Sequence, residues 1–126
     1  MKKIYIAEDN EHNFEALKRI FAEVLPDSEV VHAPGGYAIV NMVKKQKPDL
    51  VLMDIMMPDM DGIEATTLIR KQYPRKELPI IAMTARDDAG DQERVHNAGC
   101  NEYLTKPFSI SQLMEKVNFY LGQAGS

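Results

Sequence analysis

The sequence predicts a doubly wound α/β fold, with five strands alternating with five helices around one parallel sheet. Three observations predict it. Ile4-Tyr5-Ile6-Ala7, Leu50-Val51-Leu52-Met53 and Ile80-Ile81-Ala82-Met83 are short, near-continuous apolar runs, the pattern of strands buried on both faces. Between such runs the apolar residues recur at helical spacing. The alternation is strict, so the connections are right-handed crossovers that place helices on both faces of the sheet.

The elements follow in order. The first strand ends on Glu8-Asp9, and Asn10 is placed to cap a helix carrying Phe14, Leu17, Phe21 and Leu25 until Pro26 stops the pattern. Glu29-Val30-Val31-His32 is a short, more polar strand suited to an edge. Pro34-Gly35-Gly36 opens a second helix, with Ile39, Val40 and Val43, that ends before Pro48. The third strand runs into Asp54. A tight loop with Pro58 follows, and Asp61 with Glu64 forms a capping-box signature for a third helix facing inward with Ile63, Thr66 and Ile69. Pro79 introduces the fourth strand, which ends on Thr84. A fourth helix, poor in apolar residues, ends at Gly99. Glu102-Tyr103-Leu104-Thr105 is a fifth strand running into Lys106-Pro107. Ser109 and Gln112 form another capping-box pair, for a last helix with Ile110, Leu113, Met114, Val117 and Leu121 on one stripe. The first, third and fourth strands belong in the centre and the others at the edges. That ranking suits a (βα)5 flavodoxin-like three-layer sandwich, a five-stranded parallel sheet of order 2-1-3-4-5.

The length, 126 residues, fits one domain, expected over residues 1–122 with a flexible tail at 123–126. A composition 44% hydrophobic and 27% charged is that of an ordinary folded chain. The net charge of -4 gives no support for a nucleic-acid-binding face. The one cysteine, Cys100, rules out an internal disulfide and reads as a small buried hydrophobe. No apolar stretch is long enough to span a bilayer, and residues 1–6 are too few and too polar for a secretion signal, so a cytoplasmic location is expected. His12, His32 and His96 do not cluster.

All strands of a parallel sheet point one way, so their ends meet. Glu8 and Asp9, Asp54, Thr84 and Lys106 therefore converge on the carboxyl edge, where open α/β sheets bind ligands. Each alone has an ordinary explanation: a solvated loop, a strand-end Asp, a strand-end hydroxyl, a surface charge. Together they form a set. Three carboxylates in one mouth repel, and a hard divalent cation such as Mg²⁺, with Mn²⁺ as a substitute, relieves the repulsion. With a lysine and a hydroxyl beside it, Asp54 has what phosphoryl transfer to a carboxylate requires.

The segment Asp54-Ile55-Met56-Met57-Pro58-Asp59-Met60-Asp61-Gly62 resembles the phosphoacceptor loop of receiver domains in two-component response regulators. Glu8-Asp9-Asn10, Met83-Thr84-Ala85 and Tyr103-Leu104-Thr105-Lys106-Pro107-Phe108 are similar to that family's other signatures, in the same order. The resemblance covers nearly the whole chain. It implies a phosphorylation-dependent signalling switch, free-standing or of phosphorelay type, in which Asp54 accepts a phosphoryl group from a sensor histidine kinase or a histidine phosphotransfer protein.

On that resemblance Glu8, Asp9, Asp54 and the Met56 carbonyl would hold Mg²⁺, and Lys106 would pair with the phosphoryl group. Thr84 and Tyr103 would form the switch, the Lys106–Pro107 bond would be cis, and Met56 and Arg86 would tune the phosphoryl lifetime. The chain would catalyse its own phosphorylation and slow self-dephosphorylation. It would signal to a downstream protein through the face of the fourth helix, fifth strand and last helix. Glu8 stands where many members have Asp, which alters reach but preserves the charge.

Three other readings compete. A receiver-like interaction module that works without phosphorylation needs none of these side chains. A flavodoxin-like cofactor binder needs a phosphate-cradling loop where this chain has Glu8-Asp9-Asn10-Glu11. A phosphate-ester hydrolase would want an acid two residues after Asp54, where Met56 stands.

Overall fold

Parallel pairing organises the molecule. The computed structural model describes residues 1–85 and 88–124, so Arg86 and the end of the expected 123–126 tail lie outside the described residues. The strands are β1 (Lys3–Ala7), β2 (Glu29–Ala33), β3 (Leu50–Asp54), β4 (Ile80–Thr84) and β5 (Glu102–Thr105). Alternating with them are α1 (Glu11–Val24), α2 (Gly36–Lys45), α3 (Gly62–Arg70), α4 (Ala89–Ala98) and α5 (Ile110–Ala124). The sheet order is β2-β1-β3-β4-β5, every pair parallel, as the hydrophobicity ranking of the strands requires. The registers Ala7↔Met53, Asp54↔Met83 and Thr84↔Thr105 bring the strand ends level at one edge.

β3 and β4 are buried along their whole length. Their side chains alternate between two apolar layers. Val51, Met53, Ile80 and Ala82 face the layer covered by α2, α3 and α4, with Ile39, Val43, Ile69 and Val95. Leu50, Leu52, Ile81 and Met83 face the layer covered by α1 and α5, with Phe14, Phe21, Leu113 and Val117. Burying each of the larger aliphatic side chains contributes roughly 1.5–3 kcal/mol.

The helix boundaries follow from local chemistry. Asn10 accepts from Asn13 N–H at 3.0 Å, and Asp61 from Glu64 N–H at 2.9 Å. Ser109 and Gln112 exchange backbone-to-side-chain bonds at 2.9 and 3.0 Å, a complete capping box. α1 stops at Val24, because the residue before Pro26 is disfavoured in helical geometry. Ile110 departs from its expected place on the buried stripe of α5: it is 50% exposed. It is the first residue of the helix, which starts after the chain leaves β5 at the carboxyl edge of the sheet. Among the described residues no helix is long and apolar enough to cross a membrane.

α4 is held differently from its neighbours. Val95 is its one buried residue among those described. It ends at Gly99, whose φ of 117° lies in the left-handed region that glycine tolerates. A half-buried arginine fastens that end. Arg70 donates from Nε to Gly99 O at 2.8 Å, from Nη1 to Leu78 O at 2.8 Å and Tyr73 O at 3.1 Å, and from Nη2 to Asn101 Oδ1 at 2.9 Å. Burial pushes its pKa down to about 10. Arg70→Met is expected to lower stability by about 2–4 kcal/mol, because backbone carbonyls in the interior lose their donor. Arg70→Lys is expected to recover only part of this, since an ammonium cannot reproduce the fork. Urea midpoints at unchanged slope measure both effects.

Candidate functional site

β1, β3, β4 and β5 each deliver a polar residue to the same mouth. Glu8 leaves β1 and is 1% exposed, Asp54 ends β3 at 5%, and Thr84 ends β4 at 3%, so three polar side chains are buried at the sheet edge. Asp9 is exposed at the rim. Lys106 follows β5, its N–H bonded to Thr84 O at 2.7 Å, and the Lys106–Pro107 bond is cis.

The lysine bridges two acids. Its Nζ lies 3.3 Å from Glu8 Oε2 and 3.3 Å from Asp54 Oδ2. Met56 N–H donates to Asp54 Oδ1 at 3.3 Å, and Asn10 N–H to Glu8 Oε1 at 3.1 Å. Both carboxylates are thus oriented from two sides. Carboxylate oxygens of Glu8, Asp9 and Asp54 all lie within 4.8 Å of one another. Burial, against the attraction of Lys106 and with the repulsion of Glu8, pushes the Asp54 carboxyl from 3.8 up to about 6. One lysine does not neutralise three acids. A donor set of carboxylate oxygens around excess negative charge fits a hard divalent cation.

Each remaining candidate has a place. Met56 sits on the loop after Asp54 with its side chain 62% exposed. Tyr103 is half-buried on β5 and packs against the layer under α2, α3 and α4. Beside it runs a groove of about 860 Å³ between α4 and β5–α5, lined by Gln92, Val95, His96, Tyr103, Glu115 and Lys116 among others. Arg86, expected two residues beyond Thr84, lies outside the described residues.

His32 has a part that its sequence position does not advertise. Its Nε2 donates to Glu8 O at 2.7 Å, and its ring stacks on Phe14 with centroids 4.0 Å apart. The edge strand β2 thus holds the turn after β1 through a side chain as well as through the ladder bond of Glu8 N–H to Ala33 O at 3.0 Å.

Comparison with known proteins decides the family. Residues 4–118 match the response regulator receiver domain. The chain belongs to that family. Among curated relatives, the polar-differentiation response regulator DivK of Brucella anthropi is 34% identical over 125 residues, 98% of each chain. Among solved structures, the Francisella response regulator 1452 receiver domain superposes with a TM-score of 0.88 at 28% identity, covering 98% of this chain and 99% of the other. The receiver domain of the sensor histidine kinase PA1611 from Pseudomonas aeruginosa PAO1 gives 0.86 at 33% identity, covering 96% and 98%. That receiver was solved with magnesium coordinated in its active-site cleft. The five-stranded fold of this receiver domain and its acidic cluster are thus those of a two-component response regulator.

The raised Asp54 carboxyl has a consequence for stability. A folded-state pKa above the ordinary value means that the ionised group opposes folding at neutral pH, and that the penalty fades as pH falls from about 6 to below 3.8. In metal-free buffer near pH 7.5, Asp54→Asn is expected to raise stability on the order of 1–3 kcal/mol. Near pH 4 the parent and the variant are expected to unfold at about the same urea concentration.

Proposed function

We propose that this chain is a phosphorylation-dependent switch in which Asp54 accepts a phosphoryl group from a phosphohistidine of a sensor histidine kinase or a histidine phosphotransfer protein. The observation that carries the reading is a buried carboxylate held from both sides, by Lys106 Nζ at 3.3 Å and Met56 N–H at 3.3 Å, inside a cluster of three acids.

At neutral pH Asp54 lies above its pKa of about 6 and is ionised. Its oxygen attacks phosphorus, the P–N bond to the donor histidine breaks, and the electron pair leaves on the imidazole nitrogen, which takes up a proton. Lys106 releases the Asp54 oxygen and pairs with a phosphoryl oxygen, and Thr84 donates its hydroxyl to another. Glu8, Asp9, Asp54 and the Met56 carbonyl would hold Mg²⁺, which supplies positive charge for the phosphoryl oxygens when bound. Binding of Mg²⁺ to the PA1611 receiver supports that assignment. Hydrolysis of the aspartyl phosphate resets the switch, so the chain catalyses its own phosphorylation and slow dephosphorylation.

The phosphoryl group brings about -1.5 to -2 charge. Drawing Thr84 toward it opens space beside β4 into which Tyr103 turns. The output is a changed α4–β5–α5 face that binds a downstream protein. Support comes from the weak anchoring of α4 through Val95 and from the groove that Tyr103 lines. A cytoplasmic location goes with this reading, and the buried free thiol of Cys100 fits a reducing compartment.

Incubation with Mg²⁺ and a small phosphodonor is expected to add one phosphoryl group by intact mass, and Asp54→Asn is expected to abolish it. No adduct with any donor would overturn the reading in favour of an interaction module that works without phosphorylation. Thr84→Ala is expected to leave phosphorylation in place and uncouple it from partner binding. Met56→Asn is expected to hydrolyse the adduct several-fold to about tenfold faster in a decay time course, equivalent to roughly 1 kcal/mol of barrier, because an amide orients water and a thioether does not.

A further inference from the structure

The first turn of α2 lacks a cap of its own. Its N-cap position is Gly35, which has no side chain to offer. The cap arrives from another part of the chain. Asp59 Oδ1 accepts from Gly36 N–H at 3.1 Å and Oδ2 accepts from Tyr37 N–H at 3.2 Å. Negative charge at a helix N-terminus is favoured by the dipole, and both carboxylate oxygens are engaged.

Asp59 sits in the β3–α3 loop, which also carries Met56 and is closed by Gly62 N–H on Ile55 O at 2.9 Å. The loop lies hard against α2. A Cβ at Gly36 would stand 2.2 Å from the Met60 carbonyl oxygen, and one at Gly35 would stand 2.7 Å from the Asp59 carboxylate. Two consecutive glycines therefore permit the approach that two amide bonds then fix. Met57 and Met60 insert into the apolar layer and set the depth of the loop. Hydrocarbon contacts are non-directional, so depth alone does not set rotation. The two bonds from Asp59 do. Its carboxyl is held below the ordinary value: slight burial works the other way and is outweighed by the N–H groups of Gly36, Tyr37 and Met60.

We propose that Asp59 is a positioning residue for the phosphoacceptor loop: by gripping the first-turn amides of α2, its carboxylate fixes the Met56 peptide against Asp54 and the neighbouring acids. The proposal rests on the reading of Asp54 as phosphoacceptor and of the Met56 carbonyl as a metal ligand. It separates positioning from simple helix capping, because a helix cap can be supplied in another way. Gly35 has extended backbone, φ -173° and ψ 179°, the geometry of a side-chain N-cap, and Asp59→Ala removes the carboxylate that a Cβ at Gly35 would meet. The double variant Asp59→Ala/Gly35→Asp therefore gives α2 its own cap and leaves the loop untethered.

The test compares parent, single and double variants of the whole chain by amide hydrogen exchange and by Mg²⁺ titration, both without phosphodonor, and then by phosphorylation rate at saturating donor. Asp59→Ala is expected to speed exchange at Met56 and Gly62 by about tenfold. It is also expected to raise the half-saturating Mg²⁺ concentration and slow phosphorylation, each by roughly three- to tenfold. The double variant is expected to recover the urea midpoint and the protection of α2 while the loop, Mg²⁺ and rate defects persist. The proposal is overturned if the double variant recovers all of them, or if the single variant leaves loop exchange and Mg²⁺ half-saturation at parental values. Should Asp59→Ala fail to fold, Asp59→Asn, which keeps one acceptor oxygen, is expected to shift each readout the same way by less. Absence of phosphorylation in the parent would overturn the role of Asp54 while the exchange result still decides the tether.

Discussion

Lys106 Nζ stands 3.3 Å from Glu8 and 3.3 Å from Asp54, and the carboxyl edge of the sheet depends on that cation. Parallel pairing forces the ends of β1, β3, β4 and β5 together, and the chain places acids on two of them. Two carboxylates this close and this buried would drive one of them to take up a proton unless positive charge lies between them. The lysine meets part of the need and leaves an excess of negative charge. The excess is what suits the site to a cation, because a site fully neutralised by its own side chains would have no use for one.

The surroundings divide into a fixed side and a yielding side. α2 and α3 are joined to the acceptor loop by directional bonds: the carboxylate of Asp59 on Gly36 and Tyr37, and that of Asp61 on Glu64 N–H. α4 is fastened at its C-terminal end, where Arg70 holds Gly99 O, and contributes Val95 to the core. A helix with one buried residue among those described has a low free energy of local displacement. On the proposed reading, a charge change at Asp54 would thus be resisted on one side and accommodated on the other, which would give the response a direction.

Much of this was legible in the sequence because it is written in local patterns. Short apolar runs of unequal polarity ranked the strands, and parallel pairing then placed Glu8, Asp9, Asp54, Thr84 and Lys106 at one edge. What was not legible depends on long-range pairing. Asp59 was visible only as one member of the Asp54–Gly62 segment, and its partners lie on α2; the signal was a helix start at Gly35-Gly36 with no capping side chain. No local pattern marks Arg70, whose carbonyl partners Tyr73 and Leu78 lie in the α3–β4 connection and whose third, Gly99, ends α4. His32 was visible only as one of three histidines that do not cluster, and its partner, Glu8 O, lies 24 residues away in sequence, beyond any local pattern. Ile110 matched the helical period of α5 and is half exposed, because periodicity says which face a residue is on and not whether a strand lies beneath it.

The energetics of Asp54 link these features. Its carboxyl is raised to about 6, chiefly by burial, so at neutral pH the protein holds an ionised acid against an opposing gradient. β3 and β4, buried along their whole length, stabilise the fold enough to carry that opposition. The opposition is also what makes the site responsive. On the proposed reading, a cation shared among the acids would relieve the repulsion, and a phosphoryl group on Asp54 would then spread the charge over outward oxygens within reach of Lys106 and Thr84. An Asp54 solvated at the surface would gain little from either event, and its modification would pull on nothing. On the proposed reading, burial of Asp54 would therefore be the condition for coupling: it raises the free energy of the unmodified state locally, and the lightly packed α4 on one flank would be where the difference is released.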